Sequence, residues 1–238
     1  MTARTETNEW VRAAALDNAE WCAAMCRSHG LTSAFDATAW ASAQRTPPLY
    51  PDAVTLGPHT ASDQLLSRID RIAPGASIKD SFACLDLSAA GFHILFEAQW
   101  IYRPAELPPP ASSRPWTLID APGALAEWAS SWSQDPVLRK IFRPELLADD
   151  SVAVLGRGDG DRFTAGAVAH RSGNVVGITN LFYSGLEATD AWADCLSAVH
   201  QLWPGRSVVG YEQDEDLAAA IHHGGKPVGP LRVWLASA

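Results

Sequence analysis

Two stretches of this chain, residues 52 to 103 and 175 to 235, follow the same plan, and a duplicated plan restricts the possible folds more than any single motif does. Each stretch begins with a short strand, passes through a loop into a helix, and turns at a Pro-Gly pair into a second strand. A short helix closed by glycine follows, and a final strand ends in tryptophan. Pro74, Gly75, Ser77 and Ile78 open the second strand of the first copy; Pro204, Gly205, Ser207 and Val208 do so in the second, 130 residues later. Leu87, Gly91, Ile94 and Trp100 then match Ile221, Gly225, Val228 and Trp234 at an offset of 134. Copies this far apart predict two related half-molecules and exclude a solenoid, whose units repeat every ~20 to 50 residues.

Composition agrees with two lobes. At 238 residues the chain exceeds the common single-domain size of about 100 to 150 residues, and 47% hydrophobic content is ample for two cores. Eighteen basic against 27 acidic residues, net −9, leave no electrostatic footprint for a phosphate backbone, so no nucleic-acid partner is expected. Met1 to Trp10 lack the apolar run of a signal peptide. The apolar run Leu87 to Phe96 is about half of the ~20 residues that a spanning helix needs. The expectation is a cytoplasmic protein without a membrane partner.

Cys22, Cys26 and His29 share one helical face at i, i+4 and i+7, which is a spacing that can hold a metal. Trp21 and Met25 extend the same face into an apolar stripe, and free cysteine most often packs as a small hydrophobe, so core packing without metal is the expectation. That helix is expected to start at Asp17 as N-cap, with Glu20 completing a capping box, and to stop at Gly30. A second helix is expected around Ala37 to Gln44. The segment Glu106 to Arg114, with three consecutive prolines, reads as a connector between an N-terminal lobe (1–105) and a C-terminal lobe (115–238). After it come a strand at Trp116 to Ile119 and a helix with Asp120 as N-cap and Pro122 in its first turn. Ser151 to Leu155 and Phe163 to His170 flank the turn-rich Gly156 to Arg162, and a second turn at Ser172 to Asn174 leads into Val175 to Phe182.

A three-stranded meander running into strand, helix, strand, helix, strand resembles the GCN5-related N-acetyltransferase (GNAT) superfamily. The phrases Phe142-Arg143-Pro144-Glu145-Leu146-Leu147, Gly173-Asn174-Val175-Val176-Gly177 and Val228-Gly229-Pro230-Leu231-Arg232-Val233-Trp234 are similar to a group of GNAT-like bacterial proteins. The N-terminal half resembles the later part of the same fold, with helices in place of the meander. The fold class that the resemblance implies is α/β, two GNAT-like lobes with mixed, mainly antiparallel sheets flanked by helices.

The resemblance also implies where chemistry would sit. In the family, acyl-coenzyme A lies where the fourth strand splays from the fifth, with its pyrophosphate on a glycine-rich loop at a helix N-terminus, where free N–H groups and the helix dipole favour an anion. By position that places the cofactor against Asn180, Leu181, Phe182, Ser184, Gly185 and Thr189. The family's loop pattern is missing from Tyr183-Ser184-Gly185-Leu186-Glu187-Ala188-Thr189-Asp190, where Glu187, Asp190 and Asp194 add three acids, so acetyl-coenzyme A or another acyl-coenzyme A is expected to bind weakly or not at all. The first copy's loop, Gly57 to Asp63, is no closer to the pattern, and Pro58 removes a donor from it.

Tyr211 and Glu212, at the end of the fifth strand, and Glu97, on the last strand of the first copy, are the candidate catalytic groups. Tyr50, Trp100, Arg103 and Tyr183 are the candidate substrate contacts, with a Glu97 to Arg ion pair and tight packing of Tyr50 as the structural alternatives. The resulting expectation is an N-acyltransferase acting on a small amine; the alternative is a GNAT-like protein without coenzyme A that uses an inter-lobe cleft for a small molecule or a different reaction. A homo-oligomer is compatible with either.

Overall fold

The computed structural model describes residues 3–112, 114–159 and 162–237. Ser113 of the proline-rich segment and Gly160 and Asp161 of the first hairpin turn lie outside them. The chain forms an α/β fold with mixed, mostly antiparallel strands flanked by helices. It divides into two compact units, Met1–Trp100 with Val228–Ala238, and Ile101–Pro227. Residues 106–114 thus fall within the span of the second unit.

Unit 1 opens with α1 (Ala3–Ser28), which is longer than the expected helix. Asp17 is not its N-cap. Val11, Ala14 and Ala15 bury an earlier part of the same face and continue the helix toward the N-terminus, leaving Asp17 mid-helix and 4% exposed. Its neighbour Asn18 accepts a hydrogen bond from Lys79 Nζ at 2.9 Å. The helix does stop at Gly30, whose φ of 70° lets the Leu31 N–H return to the Cys26 carbonyl at 2.9 Å. The expected second helix is instead a strand. After β1 (Ala34–Phe35), one carboxyl oxygen of Asp36 accepts from the N–H groups of Thr38 and Ala39 and from the Thr38 hydroxyl. That turn launches β2 (Ala39–Ala41), all three residues of which are buried. Burial of Trp40 among its neighbours overrides the helix preference of an alanine-rich stretch.

A small antiparallel meander therefore exists in this half, β1 to β2 to β3 (Ala53–Thr55). The helix α2 (Ser62–Leu66) follows, then β4 (Ser77–Asp80), parallel to β3. A single 3-10 turn, Ser88–Ala90, is closed by left-handed Gly91 and leads into β5 (Phe92–Arg103). The last strand of the chain, β11 (Lys226–Ala236), pairs antiparallel with β4, setting Trp234 opposite Ile78. Leu65, Ile69, Ile78, Leu87, Phe92 and Trp234 form the core.

Unit 2 contains β6 (Thr117–Leu118), α3 (Pro122–Trp132) and two 3-10 turns, Leu138–Lys140 and Pro144–Ala148. A long meander follows, β7 (Val152–Asp159), β8 (Arg162–Ser172) and β9 (Val175–Tyr183), and then α4 (Ala188–Leu202), β10 (Ser207–Glu212) and α5 (Asp214–His222). Pro122 takes the first helical position of α3, so the cap falls on Ala121 rather than Asp120. The strands lie in the order β10-β9-β8-β7-β6, antiparallel except for the parallel β10-β9 pair. The fully or nearly buried side chains of α4, among them Trp192, Cys195, Leu196 and Val199, pack with Ala167, Ala169, Val176, Ile178 and Val208 of the strands. Among the described residues no helix is long and apolar enough to cross a membrane.

Candidate active site where β9 and β10 part

The parallel ladder between β9 and β10 is three pairs long, ending at Val209 opposite Gly177. Beyond it β9 continues as Ile178 to Tyr183 and β10 as Gly210 to Glu212, with no further register pairs between them. On its other side β9 stays paired with β8 through a register shift that gives β9 one extra residue opposite Gly166 to Val168. Asn180, with φ 54°, sits in this bulge. Asparagine is among the residues that tolerate that region, and bulges of this kind bend a strand and re-aim its side chains. Gly166 lets Trp128 and Phe182 pack against the strand beside the bulge, because a Cβ there would lie 2.3 Å from Trp128 Nε1 and 2.6 Å from the Phe182 ring. The Trp128 indole N–H is fixed on the Leu155 carbonyl at 2.8 Å, and its ring meets Phe182 edge-on, so α3 holds the far half of β9 in place.

The parted strand ends carry an acidic cluster. Glu212 closes β10, and Asp216 follows one helical turn later on α5. Burial, and after it the charge of Asp216, push the Glu212 carboxyl up to about 8. Asp216 Oδ1 accepts from the Tyr183 hydroxyl at the end of β9 and from Trp192 Nε1 on α4, each at 3.3 Å. Burial first, then the charge of Asp216 and this bond, raise the Tyr183 hydroxyl to about 12. Asp214, between the two acids, has φ 48°, so non-glycine left-handed backbone occurs on both sides of the divergence. An acid that stays protonated at neutral pH and ionises near 8 is suited to exchange a proton with an amine.

Of the residues expected from sequence, Glu212, Tyr211, Tyr183, Asn180, Leu181 and Phe182 fall on this part of unit 2, and Ser184, Gly185 and Thr189 on the segment that follows β9. The Thr189 carbonyl is taken by His223 Nε2 at 2.8 Å. The remaining ones have structural partners. Arg103 donates to the carbonyls of His223, Leu107 and Pro108, fastening the proline-rich segment. Glu97, in unit 1, pairs with Arg232 Nε at 2.6 Å on the surface. Trp100, 1% exposed, donates its indole N–H to the Ser81 carbonyl at 2.8 Å. Tyr50 is buried edge-on against Trp21 at 6.0 Å, in a loop that Asp52 ties down by accepting from Thr46 and Ser77 while pairing with Arg45. That loop is packed, as in the structural alternative for Tyr50. Cys22 and Cys26 are buried, and burial raises their thiols to about 12 and about 11. Among the described residues no group of three or more His, Cys, Asp or Glu is placed to hold a metal. Asp216 and Trp192 were not expected; an acid four residues after Glu212 in the first turn of a helix is the one signal that pointed to Asp216.

The three acids expected beside a pyrophosphate reduce to two. Asp194, 1% exposed, pairs with Arg157 at 3.0 Å and accepts from the Ser112 hydroxyl at 2.8 Å, so its charge is compensated inside the fold. Glu187, the N-cap of α4, and Asp190 in its first turn are exposed. No Lys or Arg occurs from Tyr183 to Asp194. Among the described residues, the segment from Tyr183 to the first turn of α4 thus presents exposed carboxylates and no guanidinium or ammonium group.

No protein-family model matches the sequence, and no curated protein does. Solved structures match. A GCN5-related N-acetyltransferase from Kribbella flavida shares 13% identity at a TM-score of 0.59, over 95% of this chain and 96% of that one. A protein assigned to the GNAT acetyltransferase family from Novosphingobium aromaticivorans shares 13% at 0.58, over 94% and 99%. A functionally unknown conserved protein from Staphylococcus epidermidis shares 12% at 0.55, over 73% and 75%. At such identities the likeness is one of fold, and the fold of this chain is that of the GNAT acetyltransferases.

Proposed function

We propose that unit 2 transfers an acyl group to the amine of a small molecule, with Glu212 taking the amine's proton. The observation that carries this reading is the position of Glu212, at the strand end just past the divergence, with its carboxyl raised to about 8. An acyl thioester lying along Leu181 to Tyr183 would supply the activated acyl group, its sulfur leaving as a thiolate that takes a proton from water. The amine nitrogen would bond to the acyl carbon as the carbon–sulfur bond breaks, and its proton would pass to the Glu212 carboxylate. Burial first, and then the charge of Asp216, which Tyr183 and Trp192 position, keep Glu212 basic enough to accept it. The common element order of residues 52–103 and 175–235 supports the further proposal that the chain arose from two related halves, with the chemistry kept in the second.

The test is the pH dependence of thiol release from acetyl-coenzyme A at millimolar concentration with primary amines. A base limb rising through about 8 that disappears in Glu212→Gln supports the assignment; a profile unchanged by that substitution removes it. A second reading, in which unit 2 does not use coenzyme A, is favoured by exposed Glu187 and Asp190.

A further inference from the structure

Unit 2 has a cavity of about 600 Å³ that the cluster at Glu212 does not use. Its wall comes from one face of α3 (Ala126, Glu127, Ser130, Ser131, Gln134), from Arg139, from Arg162, Phe163 and Thr164 at the start of β8, and from Ser184. The volume lies within the range of about 300 to 1,000 Å³ usual for small-molecule sites. Its wall is unusually polar for such a site, since only Ala126 and Phe163 lack a hydrogen-bonding side chain.

The charges and lone pairs of this wall are sorted. Arg139 donates through Nε to the Ser133 carbonyl at 2.9 Å and through Nη2 to Gln134 Oε1 at 3.0 Å, which fixes its guanidinium plane and leaves Nη1 for a ligand. Among the described residues the Arg162 guanidinium has no partner. Two guanidiniums on one cavity, in a chain of net charge −9, favour a carboxylate-like group, which matches their planar fork. The hydroxyls of Ser130 and Ser131 donate back to the carbonyls of Ala126 and Glu127, at 2.9 and 3.1 Å. Their oxygens are thereby left as acceptors, and Glu127 adds a carboxyl. Acceptors on the helix and donors on the arginines call for a ligand with both a cationic N–H group and an anionic group.

We propose that this cavity binds a small zwitterion of the amino-acid class, its carboxylate on Arg139 and Arg162 and its ammonium toward Glu127 and the two serine oxygens. This rests on the acyl-transfer reading in one respect: it names the class of amine that unit 2 would acylate. Ser184 is shared between the cavity wall and the segment leaving β9, and its N–H is bonded to the Thr164 carbonyl at 2.8 Å, so the cavity adjoins the strand that borders the divergence. Eight of the ten lining residues carry a hydrogen-bonding group, so small or polar side chains on the amino acid fit better than large aliphatic ones.

The experiment is calorimetric titration of the full chain with glycine, L-serine and L-glutamate, beside acetate and ethylammonium as probes of each charge alone. The amino acids are expected to bind at least tenfold more tightly than either control. Arg162→Gln, at an exposed position, and Ser131→Leu, which fills the cavity, should each weaken binding at least tenfold, while Glu97→Gln, on the surface of unit 1, should leave it within twofold. Absence of amino-acid binding, binding that both cavity variants leave unchanged, or acetate binding as tightly as the amino acids overturns the proposal. Binding that the cavity variants abolish, with no acylation of the bound amino acid, upholds the site and sinks the acyl-transfer reading alone.

Discussion

The two strand-helix-strand stretches of the chain part company at the end of their parallel pair. In unit 1, β3 and β4 pair through Val54 and Lys79, and the gap beyond is sealed at once. The Ser81 N–H bonds to the Thr55 hydroxyl at 2.8 Å, and the Ser81 carbonyl receives the Trp100 indole N–H at the same distance. In unit 2 no register pair follows Gly177 and Val209, and half-buried Glu212 ends β10, with Asp216 beside it bonded to the Tyr183 hydroxyl and the Trp192 indole. The intervening helices differ too, five residues in α2 against 15 in α4. The lesson is that a shared order of elements sets the scaffold only; the contacts at the strand ends differ, an indole on a backbone carbonyl in unit 1 and a cluster of acids in unit 2.

The largest effect that would break this comparison is catalytic. Glu212→Gln should lower kcat for amine acylation by about 10²- to 10⁴-fold, the usual worth of a positioned base. Glu97→Gln, on the sealed unit, should change it less than about twofold, because Glu97 is a surface partner of Arg232. Equal losses in the two variants, measured by thiol release at saturating amine, would show that the open and sealed copies are not distinguished by function.

Second in size is a contrast between two ion pairs. Asp194→Asn leaves Arg157 largely buried and without its charge partner, and should cost about 3 kcal/mol in chemical denaturation. Glu97→Gln should cost under about 1 kcal/mol, since both partners of that pair keep contact with water. A small loss for Asp194→Asn would return Asp194 to the set of acids opposing an anion at α4.

The meander β7 to β9 and the succession α4, β10, α5, β11 were legible because turn residues and strand periodicity lie close together in sequence there. The start of α1 and the strand β2 were not. Asp17 has the chemistry of a cap, and the alanine-rich stretch at 37–44 has the propensity of a helix; burial of Val11 and Trp40 decided otherwise. Glu212 could be named from its place at a strand end, but its raised pKa is a property of burial. Tyr183, Trp192 and Asp216 come together only once β9, α4 and α5 have packed. The cavity face of α3 reads in sequence as an ordinary solvated helix face, and only the approach of Arg162 and Ser184 reveals it.

Stability against pH sharpens the comparison by about 1–2 kcal/mol. The Glu212 carboxyl is raised in the folded chain, from an ordinary 4.5 to about 8, so its contribution is fully present below pH 4.5 and is lost as pH rises through about 8. Glu212→Gln should therefore flatten the decline in this window and make the protein more stable than wild type at pH 9. The magnitude is well below what the full shift would give, because the side chain keeps some exposure. Asp70 and Asp86 of unit 1 act in the opposite sense, since backbone N–H groups of Ile72 and Ala73, and of Ser88, hold their carboxyls below the ordinary value. Their contribution is present above pH ~4 and is lost as pH falls below it. Denaturant midpoints of wild type and Glu212→Gln from about pH 2 to about pH 9 test both limbs; parallel curves above about pH 5 would remove Glu212 as the group that titrates.

The smallest effect concerns an anion at the N-terminus of α4. Exposed Glu187 and Asp190 stand at its N-terminus, where each acid stabilises the helix by ~0.3 to 1 kcal/mol and repels a bound phosphate over a Debye length of ~8 Å at physiological salt. Coenzyme A should accordingly bind no more tightly than about 1 mM, or roughly −4 kcal/mol. Asp190→Gly with Glu187→Gln should strengthen binding several-fold, and added salt should help the wild type more than the double variant, because only the wild type has repulsion to screen. Asp194→Asn should bring no such gain, since Arg157 already compensates that charge. The sealed unit supplies the control: its corresponding loop, Gly57 to Asp63, leads into a helix too short to offer a dipole, so Asp63→Asn should leave affinity unchanged. Low-micromolar binding of coenzyme A by the unmodified chain would show that the arm along β9 suffices without a phosphate cradle, and would make the parted strands, rather than the loop beyond them, the determinant of cofactor affinity in this fold.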